Sequence, residues 1–79
     1  MSDIKTLIIA ELEKIIAAKG EACPDIVGET RFLQDLPMDS LDLATLLVTL
    51  ELETGKDPFR DGFKGFQTLN ELSALYQAA

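Results

Sequence analysis

The chain has 79 residues, and its seven Lys and Arg against fourteen Asp and Glu give a formal net charge of −7, with no histidine. A chain of this length can close only one modest core, so we expect a single domain over residues 1–79. Apolar residues make up 47% of the sequence, which is typical of a folded chain rather than a disordered one. The excess of acid argues against a nucleic-acid partner, because phosphate contacts require clustered Lys and Arg.

The lack of histidine also argues against catalysis by the chain itself. A Ser-His-Asp or Cys-His nucleophile needs a base that titrates near neutral pH, and imidazole is the usual one. Cys23 is the only cysteine, so no intramolecular disulfide can form, which favours a reducing cytoplasm. No apolar run approaches the ~20 residues that span a bilayer, and the amino terminus lacks a signal pattern. We therefore expect a cytoplasmic, monomeric protein that is not an enzyme and has no membrane span.

The first third of the chain predicts a long helix followed by a loop. The helix is predicted from about residue 3 to 19, where apolar residues recur at helical spacing: Ile4, Leu7, Ile8, Leu12, Ile15 and Ile16. The segment from Gly20 to Asp39 is too interrupted for a long helix and lacks the alternation of a strand. It predicts a long ordered loop, held to the core by Ile26, Val27, Phe32, Leu33 and Leu36.

The rest of the chain predicts two more long helices. One opens at Asp39-Ser40 and runs to about Glu53. Residues 57–67 predict a turn, with one short helical turn and three Phe folded onto the core. The last helix is predicted to start at Thr68, with Glu71 at the capping-box position and an apolar stripe made of Leu69, Leu72, Leu75 and Tyr76. The predicted fold class is all-α, a small bundle of three long helices plus a short one, with a long loop between the first two.

Ser40 stands at the predicted start of the second long helix. If Asp39 is the N-cap, its carboxylate accepts a hydrogen bond from the backbone amide of Leu41 or Asp42, and the Ser40 hydroxyl remains free. The helix dipole favours a negative group such as a phosphate ester at this end. Asp39 and Asp42 repel such a group and keep it projecting into water. The alternative is that Asp39-Ser40 is only a helix cap.

The same helix has two apolar faces when residues are placed at 100° steps. One face is expected to dock against the other helices and contains Leu43, Leu46, Leu47 and Leu50. The nearly opposite face contains Leu41, Ala44, Val48 and Leu52, together with Thr45 and Glu51. We predict that this second face is a semi-exposed contact surface beginning at Ser40. The alternative is a central helix that is wrapped by the loops and by Phe59, Phe63 and Phe66.

The run from Phe32 to Leu41 has the form F-x-x-D-L-x-x-D-S-L and precedes a leucine-rich helix that reaches Leu50-Glu51. It resembles the acyl carrier protein and phosphopantetheine carrier family, and the resemblance covers most of the chain. This resemblance implies that a phosphopantetheinyl transferase moves 4'-phosphopantetheine from coenzyme A onto Ser40. The thiol of that arm would carry acyl groups as thioesters. The positions that match the family's partner-recognition surface are Asp39, Leu41, Asp42, Ala44, Val48 and Glu51.

The resemblance also implies the kinds of partner: the transferase, an acyl- or aminoacyl-loading ligase or synthase, and downstream transferases of fatty-acid-like or specialised biosynthesis. The chain departs from the family at Pro37, where glycine is common, and at Thr45 and Leu52, where fatty-acid carriers usually have acidic residues. These departures favour a specialised pathway with more apolar docking partners. Two alternatives remain, an aminoacyl or peptidyl carrier and, from a different class, an unmodified acidic helical interaction module.

Two other candidate sites are weaker. Asp57, Asp61 and Gly62 match positions 1, 5 and 6 of a calcium-binding EF-hand loop, but position 3 is Phe59, and position 12, which should be a bidentate Glu, is Thr68. We therefore expect no metal site. Cys23 is expected to be an ordinary thiol, since no histidine is present to activate it.

Overall fold

The computed structural model describes residues 3–79, which form four helices. In chain order these are α1 (Ile4–Ala18), α2 (Phe32–Asp35), α3 (Ser40–Thr54) and α4 (Leu69–Ala78). The described residues contain no strand and only one isolated bridge, between Arg31 and Thr68. The all-α prediction is confirmed, since three long helices and one short helix form the fold.

The three long helices begin and end close to where the sequence predicts, because their ends are marked by local signals. The Asp3 carboxylate caps α1 by accepting a hydrogen bond from the Lys5 amide at 3.4 Å. Gly55 ends α3 in the left-handed conformation, with φ of 70°, which a residue without Cβ adopts at little cost. Thr68 and Glu71 form the predicted capping box of α4, in which each side chain accepts a hydrogen bond from the other's backbone amide.

The core lies between α1, α3 and α4 and is closed on one side by α2. Leu46 and Leu50 of α3 are fully buried, and Leu43 and Leu47 pack against the core at its edge, which confirms the predicted docking face. The remaining buried apolar side chains come from the other helices and from the segment before α3: Ile8, Leu12, Ile16, Phe32, Leu36, Met38, Leu69, Leu72 and Tyr76. No helix within residues 3–79 combines the length and the apolar character that crossing a membrane requires.

The connection between α1 and α3 is held by side chains and by its backbone, since Phe32 and Leu36 are buried in the core and Ile26 packs against it, as predicted. The sequence predicts Val27 and Leu33 in the core, but both are exposed, so that prediction is wrong for these two residues. Backbone hydrogen bonds also fix the connection, from the Asn70 backbone amide to the Gly28 carbonyl at 2.9 Å and from the Phe32 backbone amide to the Gln67 carbonyl at 3.0 Å. Because these bonds set the path of the chain, its apolar side chains need not all turn inward.

The segment from residue 57 to 66 contains turns and no helix, so the short helix of the fold is α2 rather than a turn of helix here. Phe59 and Phe66 are half-buried, as expected, but Phe63 is 75% exposed and does not reach the core. The Phe63 ring stacks on the Phe59 ring with 5.4 Å between their centroids. Gly62, just before Phe63, has a φ of 137°, a conformation that glycine adopts at little cost.

Candidate functional site

The segment that leads into Ser40 is fixed on both sides of Pro37. Leu36 and Met38 are buried, and the Met38 amide donates a hydrogen bond to the Leu36 carbonyl at 2.8 Å, which forms a tight turn around the proline. Just before it, the Arg31 side chain donates to both carboxylate oxygens of Asp35, at 3.2 and 3.3 Å. These bonds, with a further one from the Arg31 backbone amide, lower the pKa of the Asp35 carboxyl. The chain therefore enters α3 along a defined path.

Two aspartates cap α3 reciprocally on either side of Ser40. The Asp39 carboxylate accepts a hydrogen bond from the Asp42 amide at 3.0 Å, as the sequence predicts. In return, the Asp42 carboxylate accepts from the Asp39 amide at 3.1 Å. This arrangement is a capping box, and it satisfies two backbone donors that the start of a helix otherwise leaves unpaired. The orientation of the first turn, and of Ser40 within it, is thus set by side chains next to the serine.

A lysine just past the end of α1 joins this cap. The Lys19 ammonium donates to Asp42 Oδ2 at 2.6 Å, which is the same oxygen that accepts from the Asp39 amide. The hydrogen bond from Lys19 is the main cause of the lowered pKa of Asp42, and it raises the pKa of Lys19. This contact is not predictable from the sequence, because the two residues are 23 positions apart and no local pattern connects them.

The Ser40 side chain is exposed at the first residue of α3, a helix of 15 residues. Among residues 3–79 no hydrogen bond engages its hydroxyl, since the cap is made entirely by Asp39 and Asp42. Phosphopantetheine would attach to Ser40 through a phosphodiester, whose negative charge suits the unpaired amides and dipole at a helix start. The accessible, unbonded hydroxyl therefore fits such an arm.

The face of α3 that continues from Ser40 is exposed and largely apolar. Leu41 is 74% exposed, Val48 is 59% exposed and Leu52 is 81% exposed. Ala44 and Glu51 also lie on this face and are exposed. Eight of the fifteen residues of α3 are exposed, so the alternative of a central helix wrapped on most sides is wrong. A row of exposed leucine and valine side chains on a small domain is typical of a surface that contacts another protein.

Two concave regions lie at opposite ends of the molecule. A groove of about 140 Å³ runs between α2 and the start of α3, and Leu43, one turn after Ser40, forms part of its wall together with Phe32, Leu33 and Phe66. A wider cleft of about 530 Å³ lies at the far end of α3, beside Glu53, Thr54 and Tyr76. That cleft is about 20 Å from Ser40, given a rise of ~1.5 Å per helical residue. Only the groove is near the exposed serine.

Comparison with known proteins identifies this arrangement. No protein-family profile and no curated protein matches the chain significantly. Among solved structures, the fold matches the solution structure of MacpD, an acyl carrier protein from Pseudomonas fluorescens involved in mupirocin biosynthesis. The TM-score is 0.81 at 32% sequence identity, and the match covers 92% of this chain and 67% of that chain. The chain belongs to the acyl carrier protein family. Family membership supports a carrier role for this acyl carrier protein, rather than catalysis by its own residues.

The structure places the predicted site residues of this acyl carrier protein on one surface, with one difference. Asp39 and the apolar residues after Ser40 are exposed and available to a partner. Asp42 is bound by Lys19, and its side chain is only 22% exposed. The attachment role of Ser40 and the recognition roles of its neighbours stay predictions. The spacing of Asp39 and Asp42, three residues apart, is the sequence signal for the second half of the capping box.

Proposed function

We propose that the chain is a phosphopantetheine-dependent acyl carrier protein and that Ser40 bears the arm. A phosphopantetheinyl transferase would supply the arm from coenzyme A, and acyl groups would travel on its thiol as thioesters. The observation that carries the proposal is the exposed, unbonded Ser40 hydroxyl at the capped start of α3, in a chain whose fold matches an acyl carrier protein. Residues 1–79 would act as one carrier domain.

The chain's own residues would hold and present the arm rather than act on its cargo. The arm's phosphate would lie beside the amides of the first turn of α3, where the helix dipole favours negative charge. Asp39 would repel it from the protein surface and direct the arm into solvent. The chain contains no histidine that could act as a base near neutral pH, so a thioester carried on the arm meets no catalytic imidazole of the carrier.

We further propose that the carrier serves a specialised pathway, whose partner enzymes dock on the apolar face of α3. Thr45 and Leu52 stand where carriers of fatty-acid synthesis usually have acids, and both are exposed. A partner that contacts this face would therefore bury leucine and valine side chains rather than neutralise a row of carboxylates. MacpD, which the fold matches, is itself involved in mupirocin biosynthesis. The location in a reducing cytoplasm and the monomeric state stay predictions.

The decisive experiment is the intact mass of the chain after incubation with coenzyme A and a broad-specificity phosphopantetheinyl transferase. The wild type should gain the mass of one phosphopantetheine group, and Ser40→Ala should gain nothing. Ser73→Ala is a matched control, because Ser73 is buried and its hydroxyl donates to the Asn70 carbonyl at 3.0 Å. That variant should be modified as fully as the wild type.

Three outcomes contradict the proposal in different ways. An unmodified wild type would instead favour the acidic interaction module whose Asp39-Ser40 is only a cap. A mass gain that survives Ser40→Ala would move the attachment site elsewhere. If the modified chain accepts amino acids but no acyl groups from loading ligases, the carrier is an aminoacyl or peptidyl carrier.

A further inference from the structure

Lys19 forms an ion pair between two separate elements of the fold, whereas the other ion pairs described are local. The described residues, 3–79, contain three ion pairs, and two of them link residues three or four positions apart, Lys14 with Glu11 and Arg31 with Asp35. The third links Lys19, just past the end of α1, to Asp42 in the first turn of α3. Lys19 therefore places a positive charge from a separate element next to the capping box that precedes and follows Ser40.

This pair changes the charge that a partner meets at Ser40. The first turn of α3 and its cap contain two carboxylates, Asp39 and Asp42, which in the sequence suggest a doubly negative surface. Lys19 neutralises Asp42 at 2.6 Å, and the two side chains are only 33% and 22% exposed. Asp39 is exposed and forms no ion pair with any of the residues described. The surface beside Ser40 thus presents one carboxylate outside an ion pair in place of two.

We propose that Lys19 is a specificity-determining residue that withholds the Asp42 carboxylate from cationic partners. Recognition around Ser40 then rests on Asp39 and on the apolar face of α3, and partners that require both aspartates are disfavoured. Selectivity of this kind comes from weakening the wrong contact as much as from strengthening the right one. The inference rests on the proposed function, because it concerns the enzyme that modifies Ser40.

Four proteins separate this role from a structural one: the wild type, Lys19→Met, Asp42→Asn and the double variant. Relative to the wild type, the local charge next to Ser40 falls by one in Lys19→Met, rises by one in Asp42→Asn and is unchanged in the double variant. The amide oxygen that Asp42→Asn introduces can still accept the hydrogen bond from the Asp39 amide, so the cap is retained. A transferase whose binding surface is rich in Lys and Arg serves as the probe, at low ionic strength where surface charges are least screened.

The KM of that transferase should follow the local charge. We expect Lys19→Met to lower KM about two- to fivefold, the factor that one surface charge contact commonly contributes, and Asp42→Asn to raise it by a similar factor. The double variant should return to the wild-type KM. The kcat should change little in all four proteins, and the differences should shrink as salt is added.

Lys14→Met is the matched control, because it removes one positive charge from α1 while its partner Glu11 lies on the same helix, away from Ser40. Its KM should stay close to that of the wild type. A higher KM in Lys19→Met, with a loss that the double variant does not repair, would show that Lys19 only ties α1 to α3 and would overturn the proposal. Equal shifts in Lys19→Met and Lys14→Met would overturn it in favour of net charge alone. Failure of the wild type to be modified at all would refute the proposed function, and with it this inference.

Discussion

At Gly28 the backbone of the long connection passes directly over the Asn70 side chain at the start of α4. The Gly28 carbonyl accepts a hydrogen bond from the backbone amide of Asn70 at 2.9 Å. A Cβ atom added at Gly28 would lie 2.5 Å from both the Nδ2 and Oδ1 atoms of Asn70, closer than carbon approaches such atoms without displacement. Glycine is favoured here by close approach and not by a positive φ.

Gly28→Ala should therefore lower the free energy of unfolding, by about 1 kcal/mol, the lower end of the cost of overpacking, because the Asn70 side chain is exposed and can turn partly away. Urea denaturation followed by circular dichroism measures the change. In an Asn70→Ala background the colliding atoms are absent, and Gly28→Ala should become neutral or stabilise by up to ~1 kcal/mol through the unfolded chain.

Gly65→Ala provides the matched control for that test, because nothing lies within 4 Å of a Cβ added at Gly65 and its φ is not positive. It should stabilise the protein by roughly 0.4–1 kcal/mol. If Gly28→Ala instead costs the same with and without the Asn70 side chain, strain in the connection itself is responsible rather than this collision.

At the scale of one element, α3 uses its two apolar faces for different purposes. Leu46 and Leu50 hold it in the core, whereas Val48 is 59% exposed on the face that follows Ser40. Val48→Asp should thus lower the free energy of unfolding by only about 1 kcal/mol, from loss of the apolar surface that the partly covered valine buries and from repulsion by Glu51 three residues later. Leu46→Ala should cost about 2–5 kcal/mol, because its side chain is fully buried.

Val48→Asp should affect the function of the carrier more than its stability. Val48→Asp should reduce acyl transfer from the loaded carrier to its partner enzymes at least about fivefold, since it places a charge where an apolar contact is expected. Thr49→Asp adds the same charge to the next residue of the helix, about 100° away from Val48, and should transfer almost normally. Equal losses in the two variants would mean that added negative charge, and not the apolar face, determines docking.

The three long helices were predictable because their signals are local. The period of the apolar residues and the caps at Asp39 and Thr68 lie within a few residues of the structure that they determine, and the ends of α3 and α4 follow them closely. The Lys19–Asp42 contact and the exposure of Phe63 were not predictable. Both depend on where distant segments cross, which composition and spacing do not encode.

At the scale of the whole molecule, α3 separates two chemically different ends. Ser40 lies at one end with the Lys19–Asp42 pair, and Tyr76 lies at the other, beside the wider cleft and the last residues of α3. Tyr76 is almost fully buried, and burial together with the nearby charges of Asp57 and Glu51 raises the pKa of its phenol to about 12. Its ionisation therefore reports on the stability of the fold without involving the proposed attachment site.

The raised pKa of Tyr76 should make the folded protein less stable at alkaline pH. In the unfolded chain the phenol of Tyr76 ionises near its ordinary pKa of 10, whereas in the folded protein its pKa is about 12. Below pH 10 the phenol is neutral in both states, and between pH 10 and 12 the folded state holds the proton more tightly. The wild type should therefore lose stability as pH rises through this window, because unfolding releases the proton. Tyr76→Phe has no phenol to ionise, so its free energy of unfolding should fall less steeply over the same range.

Urea denaturation of both proteins at several pH values measures the difference, because all the other ionisable groups are common to both. Because the chain has one Tyr and no Trp, the ultraviolet absorbance of phenolate follows Tyr76 alone in the folded wild type. Its midpoint should lie well above pH 10. A midpoint near pH 10, or parallel losses of stability in the two proteins, would mean that water reaches the Tyr76 hydroxyl through the cleft and that burial at this end of the bundle is incomplete.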